Sequence, residues 1–248
     1  MERELATLDT PEGSEVGQAW ETPPGFVVLR LDGKGFSKFT KPFKKYDEYS
    51  PEIESAMHVA TLGLLRKIDG VIAAYTVSDE ISLVLDLTGQ RAANAWYGGR
   101  MQKLLSVPAS IAGVEFSLDI GKPAYFDTKM FLYTPEGLDE VREYIWKRRM
   151  NGFSNAMSSY ASRHLGHKEV LHVPTEERLW LLENEGVTVV ESMSSGCLFL
   201  KKPFISDVEY THKKTGERKV VKGVERRAWV PELLRKREQL DEIQPLPL

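Results

Sequence analysis

Apolar positions fall into short runs separated by turn residues, and their period changes along the chain. Residues 26–33, FVVLRLDG, form a compact apolar run broken by Asp-Gly-Lys-Gly, the pattern of a buried strand ending in a turn. Residues 50–70 place Met57, Ala60, Leu64 and Ile68 at helical spacing, with Ser50 positioned as N-cap, Pro51 at the first helical residue and Gly70 as the stop. The runs VIAAYTV (71–77) and ISLVLDL (81–87) are rich in β-formers and are separated by Ser-Asp-Glu, a hairpin signal. Residues 90–105 return to a helical pattern, and 113–120 alternate as a strand would. The order β-α-β-β-α-β across 26–120 predicts an α+β chain built on the ferredoxin-like unit. Beyond it, 135–166 reads as two helical stretches, 190–204 as a further strand, and the charged end as a helix near 231–240 that frays into PLPL. Residues 1–25 read as a loose arm, and no internal repeat is present.

That topology gives two distant acids a common address. In a ferredoxin-like sheet the first and third strands are antiparallel neighbours. Asp32 ends the first, and Asp79 sits in the turn leading into the third, 47 positions later. The two are therefore expected at one edge of the sheet, with Glu80 beside them. Close carboxylates repel, and a hard divalent cation such as Mg²⁺, which takes oxygen ligands and substrate phosphates, relieves the repulsion. A backbone carbonyl at Gly33 is a further candidate ligand. Taken singly, each Asp is an ordinary turn residue. Taken with the topology, the pair points to a metal-assisted phosphoryl or nucleotidyl transfer, in which two ions clamp the attacking and leaving oxygens.

Charge adds a partner. The net charge of −3 and pI near 6.0 argue mildly against nucleic acid, but the distribution argues for it. Residues 201–237 hold twelve Lys/Arg against five acids, a segment of +7 on a body of −10. A second basic run, Lys34, Lys38, Lys41, Lys44 and Lys45, contains no acid. Both suit a polyanion, and both also suit solvated loops. Lys34 and the backbone of Gly33, Gly35 and Phe36 are placed to contact the phosphates of a nucleotide, although no Walker loop is present. Further on, Arg148, Asn151 and Asn155 share one helix face, a second candidate phosphate site or an ordinary charged face. The five His show no metal-ligand spacing, the lone Cys197 lies in an apolar run, and no GxSxG or Cys/His arrangement supports covalent catalysis. No apolar run approaches a membrane span, and the acidic, polar start lacks a secretory h-region.

The segments RLDGKGFSKFTKPF (30–43), YTVSDEISLVL (75–85) and PAYFDTKMFLY (123–133), followed by the helix YIWKRRMNGFSNAMSSY (144–160), together resemble the tRNA-His guanylyltransferase family, including its Thg-like 3′-to-5′ nucleotide polymerases. The likeness runs from about residue 27 to 201. It implies a polymerase-like palm over 26–135, after an arm at 1–25, and a mostly helical extension with some β structure over 136–248 that carries the basic RNA-contacting segment. It implies that Asp32, the Gly33 carbonyl and Asp79 hold two Mg²⁺ ions, and that Asp32, Asp79 and Glu80 form the catalytic set. Lys34 stands where the family usually has Arg, Ser78 completes the hairpin motif, and Lys129 follows the Phe-Asp pair. Arg148 and Asn155 match the triphosphate-binding helix, whereas Asn151 replaces an Asp. Phe153 stands where eukaryotic members carry a His, so 5′-end repair with template-paired nucleotides fits at least as well as strict addition of G to tRNA-His. The implied substrates are tRNA, GTP or another NTP, and ATP. The implied setting is a cytoplasmic homotetramer. A palm-type nucleotide cyclase and a non-catalytic RNA-binding module are the rival readings.

Overall fold

The structure, a computed structural model, describes residues 21–43 and 50–245; Lys44, Lys45 and most of the N-terminal arm lie outside them. In chain order the elements are β1 (Gly25–Gly33), α1 (Phe36–Phe39), α2 (Pro51–Lys67), β2 (Val71–Val77), β3 (Glu80–Leu87), α3 (Gln90–Ala93), α4 (Met101–Ile120), β4 (Phe126–Tyr133), α5 (Leu138–His164), α6 (Thr175–Asn184), α7 (Glu191–Ser195), β5 (Cys197–Thr211) and β6 (Arg218–Leu233). Short 3₁₀ turns cover Trp96–Gly99 and Arg237–Glu242. The six strands form one antiparallel sheet in the order β4-β1-β3-β2-β5-β6. Its first four strands have the 4-1-3-2 order of the expected ferredoxin-like unit. The β2–β5 pairing carries the sheet past residue 135 into the extension.

Alternation along β1 sorts side chains between two layers. Val27, Leu29 and Leu31 pack with Met57 and Leu64 of α2 and with Leu104 and Phe116 of α4. Phe26 and Val28 turn to the other face, against Val141 and Ile145 of α5 and Leu234, Leu240 and Ile243 near the C-terminus. The start of α2 is set as its sequence predicts: the Ser50 hydroxyl accepts from the Ile53 N–H at 3.3 Å, with Pro51 at the first turn.

Several elements differ from the sequence expectation: residues 90–105 are not one helix but α3, a 3₁₀ turn and the start of α4, and the start of the strand expected over 190–204 is helix α7. Residues 113–120 are the end of helix α4, and the fourth strand comes later, at Phe126–Tyr133. The apparent alternation is real on paper, but Leu104, Pro108, Ala112 and Phe116 recur every four residues, and that stripe is the buried one. Val114 and Leu118, which completed the alternation, are 55% and 77% exposed. Residues 138–164 are one helix of 27 residues, where the sequence pattern suggests two. Gly152 does not break it; the glycine lets α5 pass over the end of β2, where an added Cβ would lie 2.5 Å from a Val77 methyl carbon. The basic tail is a strand to Leu233 and then a 3₁₀ turn, in place of a helix near 231–240. β6 is an edge strand, so Pro231 is tolerated within it.

Candidate active site

The end of β1 and the start of β3 build the site. Asp32 pairs across the sheet with Glu80 on one side and Asp127 on the other. The Gly33 N–H donates to the Asp79 carbonyl at 3.0 Å. Asp32 and Asp79 are thus brought to one edge of the sheet by backbone pairing alone. Both are half-buried, and Glu80 is buried. Ser78 holds the tight turn with φ 55°, and its hydroxyl donates to Asp79 Oδ1 at 3.0 Å, fixing the carboxylate.

Beyond Gly33 the chain turns sharply. A Cβ on Gly33 would collide with the Phe36 ring, and Gly35 caps α1 at φ 72°. Lys34 is exposed, and its N–H donates to the Tyr125 carbonyl at 2.8 Å. The Phe36 side chain is core: its ring lies 5.2 Å from those of Phe39, Phe116 and Phe126. Only its backbone is left for a role at the surface.

Glu80 has company that the sequence did not announce. Arg148 of α5 forks onto it, with Nε on Oε1 and Nη2 on Oε2, each at 2.6 Å. Arg30 Nε stands 3.8 Å from Oε2. Burial pushes the Glu80 carboxyl above its ordinary value; Arg148 and Arg30 pull against that shift, and Asp32 adds to it. Burial also disfavours the charge on Arg148, but the Glu80 pairing outweighs it and leaves the guanidinium raised. Arg30 lies on the same face of β1 as Asp32, two residues back, and a charge at that place in an apolar strand was the signal available in the sequence. Lys129 pairs with Arg30 from β4 and is exposed. Asn155 is exposed on α5 two turns after Arg148, and Asn151 is exposed one turn after it. Asp127, opposite Asp32 on the exposed strand β4, was missed as well.

Beside Asp79 opens a cleft of about 240 Å³, bounded by α1, the start of α2, the β2–β3 turn, α5 and α7. Ser37, Ser50, Glu54, His58 and Ser78 give it a polar rim. Burial lowers the His58 pKa below its ordinary value, with Glu54 opposing. Cys197 lines the same cleft, and burial pushes its thiol up to about 12. Among the described residues no group of three or more His, Cys, Asp or Glu is gathered closely enough to hold a metal. The available donors are the Asp32 and Asp79 carboxylates and the backbone between them, an all-oxygen set that suits a hard cation sharing its shell with substrate.

An antiparallel sheet of ferredoxin-like order, with two acids meeting at one edge beside a cleft, is the frame of a palm. Residues 18–136 match the family model Thg1, tRNAHis guanylyltransferase. The chain is 27% identical over 197 residues to an uncharacterized protein of Acanthamoeba polyphaga mimivirus, covering 68% of this chain and 66% of the viral one. It is 28% identical over 138 residues to a probable tRNA(His) guanylyltransferase of Drosophila melanogaster, covering 51% of this chain and 45% of the fly protein. Thus it spans about two thirds of the first relative and under half of the second. A bacterial tRNA(His) guanylyltransferase (Thg1)-like protein, solved in complex with ATP, shares the fold at a TM-score of 0.69, with 22% identity over 90% of this chain and 89% of its own.

Proposed function

We propose that the chain is a Mg²⁺-dependent nucleotidyltransferase that extends the 5′ end of tRNA in the 3′-to-5′ direction. The observation that carries the reading is the meeting of Asp32 and Asp79 at one sheet edge, imposed by the β1–β3 register and the Gly33–Asp79 hydrogen bond. When bound, a pair of Mg²⁺ ions would supply Lewis-acid stabilisation of the transferring phosphate and lower the pKa of the attacking hydroxyl. The residues suited to hold them are Asp32, the Gly33 carbonyl and Asp79.

The chain's own groups have separate tasks. Ser78 keeps the Asp79 carboxylate in one orientation. Lys34, the Gly33–Gly35 backbone and Asn155 would bind the triphosphate of an incoming GTP or other NTP. The cleft beside Asp79 would take the nucleotide, with its polar rim as the hydrogen-bonding surface. A 5′-phosphate activated with ATP or GTP, or arriving as a triphosphate, would then be attacked by the 3′-hydroxyl of that NTP, displacing the activating group.

The exposed outer part of β5 and β6 carries Lys201, Lys219, Lys222, Arg226 and Arg227, and is the surface best suited to RNA phosphates. Phe153 in place of the His of eukaryotic members favours template-paired repair of 5′-truncated tRNA over strict addition of G. Self-association to a homotetramer is supported by the outer face of α4 and the loop after it, where Val114, Leu118 and Tyr125 are 55%, 77% and 67% exposed. The setting that suits a tRNA substrate is the cytoplasm. No helix among the described residues is long and apolar enough to cross a membrane.

The test is sequencing of 5′ ends after full-length and 5′-truncated tRNAs are incubated with all four NTPs and Mg²⁺. The expected result is template-paired 5′ extension, lost by at least ~10³-fold in Asp79→Ala with the fold intact by circular dichroism. Retained extension in that variant, or conversion of labelled GTP without any tRNA, would overturn the reading, the second outcome in favour of a cyclase.

A further inference from the structure

Glu80 is adjacent to Asp79 in sequence and opposite Asp32 in the sheet, the position at which a third metal ligand would be sought. Its surroundings give it different work. Each carboxylate oxygen already accepts a short, charge-assisted hydrogen bond from Arg148, and Arg30 stands behind as a second cation. The group is buried, with a side chain only 10% exposed. Turning an oxygen away to ligate a cation would leave two guanidinium charges uncompensated in a half-buried place. The fork also has a mechanical consequence. A bidentate pair fixes the plane and the distance of both partners. Glu80 opens β3 directly after the Asp79 turn, and Arg148 sits on α5 one turn before Gly152, where the helix rides over Val77. The pair therefore ties the turn that carries Asp79 to the helix that carries Asn155.

Resting on the nucleotidyltransferase reading, we infer that Glu80 is a positioning residue: it holds Arg148, and with it α5, in register with the Asp32/Asp79 edge, and it does not bind the metal. The two residues then form a unit, and Arg148 meets Glu80 with the two fork nitrogens that a direct phosphate clamp would need. A ligand or acid/base role for Glu80 alongside a separate phosphate role for Arg148 makes the opposite statement, that the two act independently.

A double-mutant cycle distinguishes them. Glu80→Gln, Arg148→Gln and the double variant are compared by kcat and KM for nucleotide addition to 5′-truncated tRNA, and by Mn²⁺ binding followed by electron paramagnetic resonance. Each single variant is expected to lose about 30–100-fold in kcat/KM, and the double variant no more than about 3-fold beyond the worse single. Arg148→Lys, which keeps the charge without the fork, falls between wild type and Arg148→Gln. Glu80→Gln keeps Mn²⁺ affinity within about 3-fold, whereas Asp79→Asn loses more than about 10-fold. Losses that multiply in the double variant overturn the proposal, and so does a Glu80→Gln protein that loses Mn²⁺ as Asp79→Asn does. If Glu80→Gln does not fold, the double variant, which leaves one guanidinium without its partner in place of two, carries the same metal-binding test. A wild-type protein that binds Mn²⁺ but extends no RNA defeats the functional reading while the metal comparison still judges Glu80. A wild-type protein that binds no Mn²⁺ overturns both.

Discussion

β3 and the outer half of β5 are strands of one sheet, yet they live in different surroundings. Every residue of β3 is buried, and its acids face named cations: Glu80 meets Arg148 and Arg30, and Asp86 meets Arg91. From Lys201 to Thr211 β5 has only β6 beside it, and most of its side chains are exposed. A two-stranded ribbon of this kind has little stability of its own, since an isolated hairpin is marginal in water. The inner strands hold carboxylates to a fixed geometry because packing on both faces leaves them no alternative. The ribbon offers charge without that constraint, which suits a surface that follows a flexible polyanion better than one that positions a reacting atom.

The sharpest way to break the contrast is to loosen the inner side. Leu240 is 1% exposed and packs with Leu234 and Ile243 against the α5 face of the sheet, while the Arg142 guanidinium donates to the Leu240 and Ile243 carbonyls at 3.2 and 2.8 Å. Leu240→Ala should cost about 2–5 kcal/mol by urea unfolding, because the cavity cannot collapse under a tethered turn. A cost below about 1 kcal/mol would show that the C-terminal turn is not part of the core.

A smaller effect is expected where α5 crosses β2. Gly152→Val must push its side chain into Val77, and overpacking of this kind costs about 1–3 kcal/mol. Because the strain falls one turn from Arg148 and two residues from Asp79, nucleotide addition should fall by more than the loss of folded protein explains. Equal losses in the two measurements would separate α5 from the chemistry.

The ribbon should behave in the opposite way. Lys222→Gln with Arg227→Gln removes two exposed charges, so stability should stay within the scatter of surface substitutions, about ±0.5 kcal/mol. RNA affinity should fall, and the slope of log K against log salt should shrink by about 1 for each phosphate no longer neutralised. An unchanged slope would move the RNA interface elsewhere.

The same contrast explains what could be read from the sequence. Strong period-2 runs and caps mark β1, α2 and the β2–β3 hairpin, and the ferredoxin-like order, which sets β1 beside β3, then brings Asp32 to Asp79. Residues 113–120 mislead because a helix with apolar side chains on its outer face, Val114 and Leu118, carries a strand's alternation over eight residues. A stripe at i, i+4 over the whole of α4 is the better guide. The Glu80–Arg148 fork joins residues 68 apart through a helix whose rotation no local pattern fixes, so chemistry could nominate both residues but not pair them. Asp127 was missed because the alternation at 113–120 places the fourth strand too early.

The smallest effect lies at the turn itself, and here stability and activity should part. Ser78 adopts φ 55°, a left-handed conformation that costs an L-residue roughly 1–2 kcal/mol. A glycine at this position would remove that strain but lose roughly 0.5–1 kcal/mol to its greater freedom in the unfolded chain. Ser78→Gly should therefore raise stability by about 0.5 kcal/mol. It also removes the hydroxyl that donates to Asp79 Oδ1, so the carboxylate is free to turn and nucleotide addition should fall several-fold. Ser78→Ala, which keeps the strain and loses the same bond, should show the activity loss without the gain in stability. If Ser78→Gly is as active as the wild type, the hydroxyl is not what orients Asp79, and the turn's shape alone does that work.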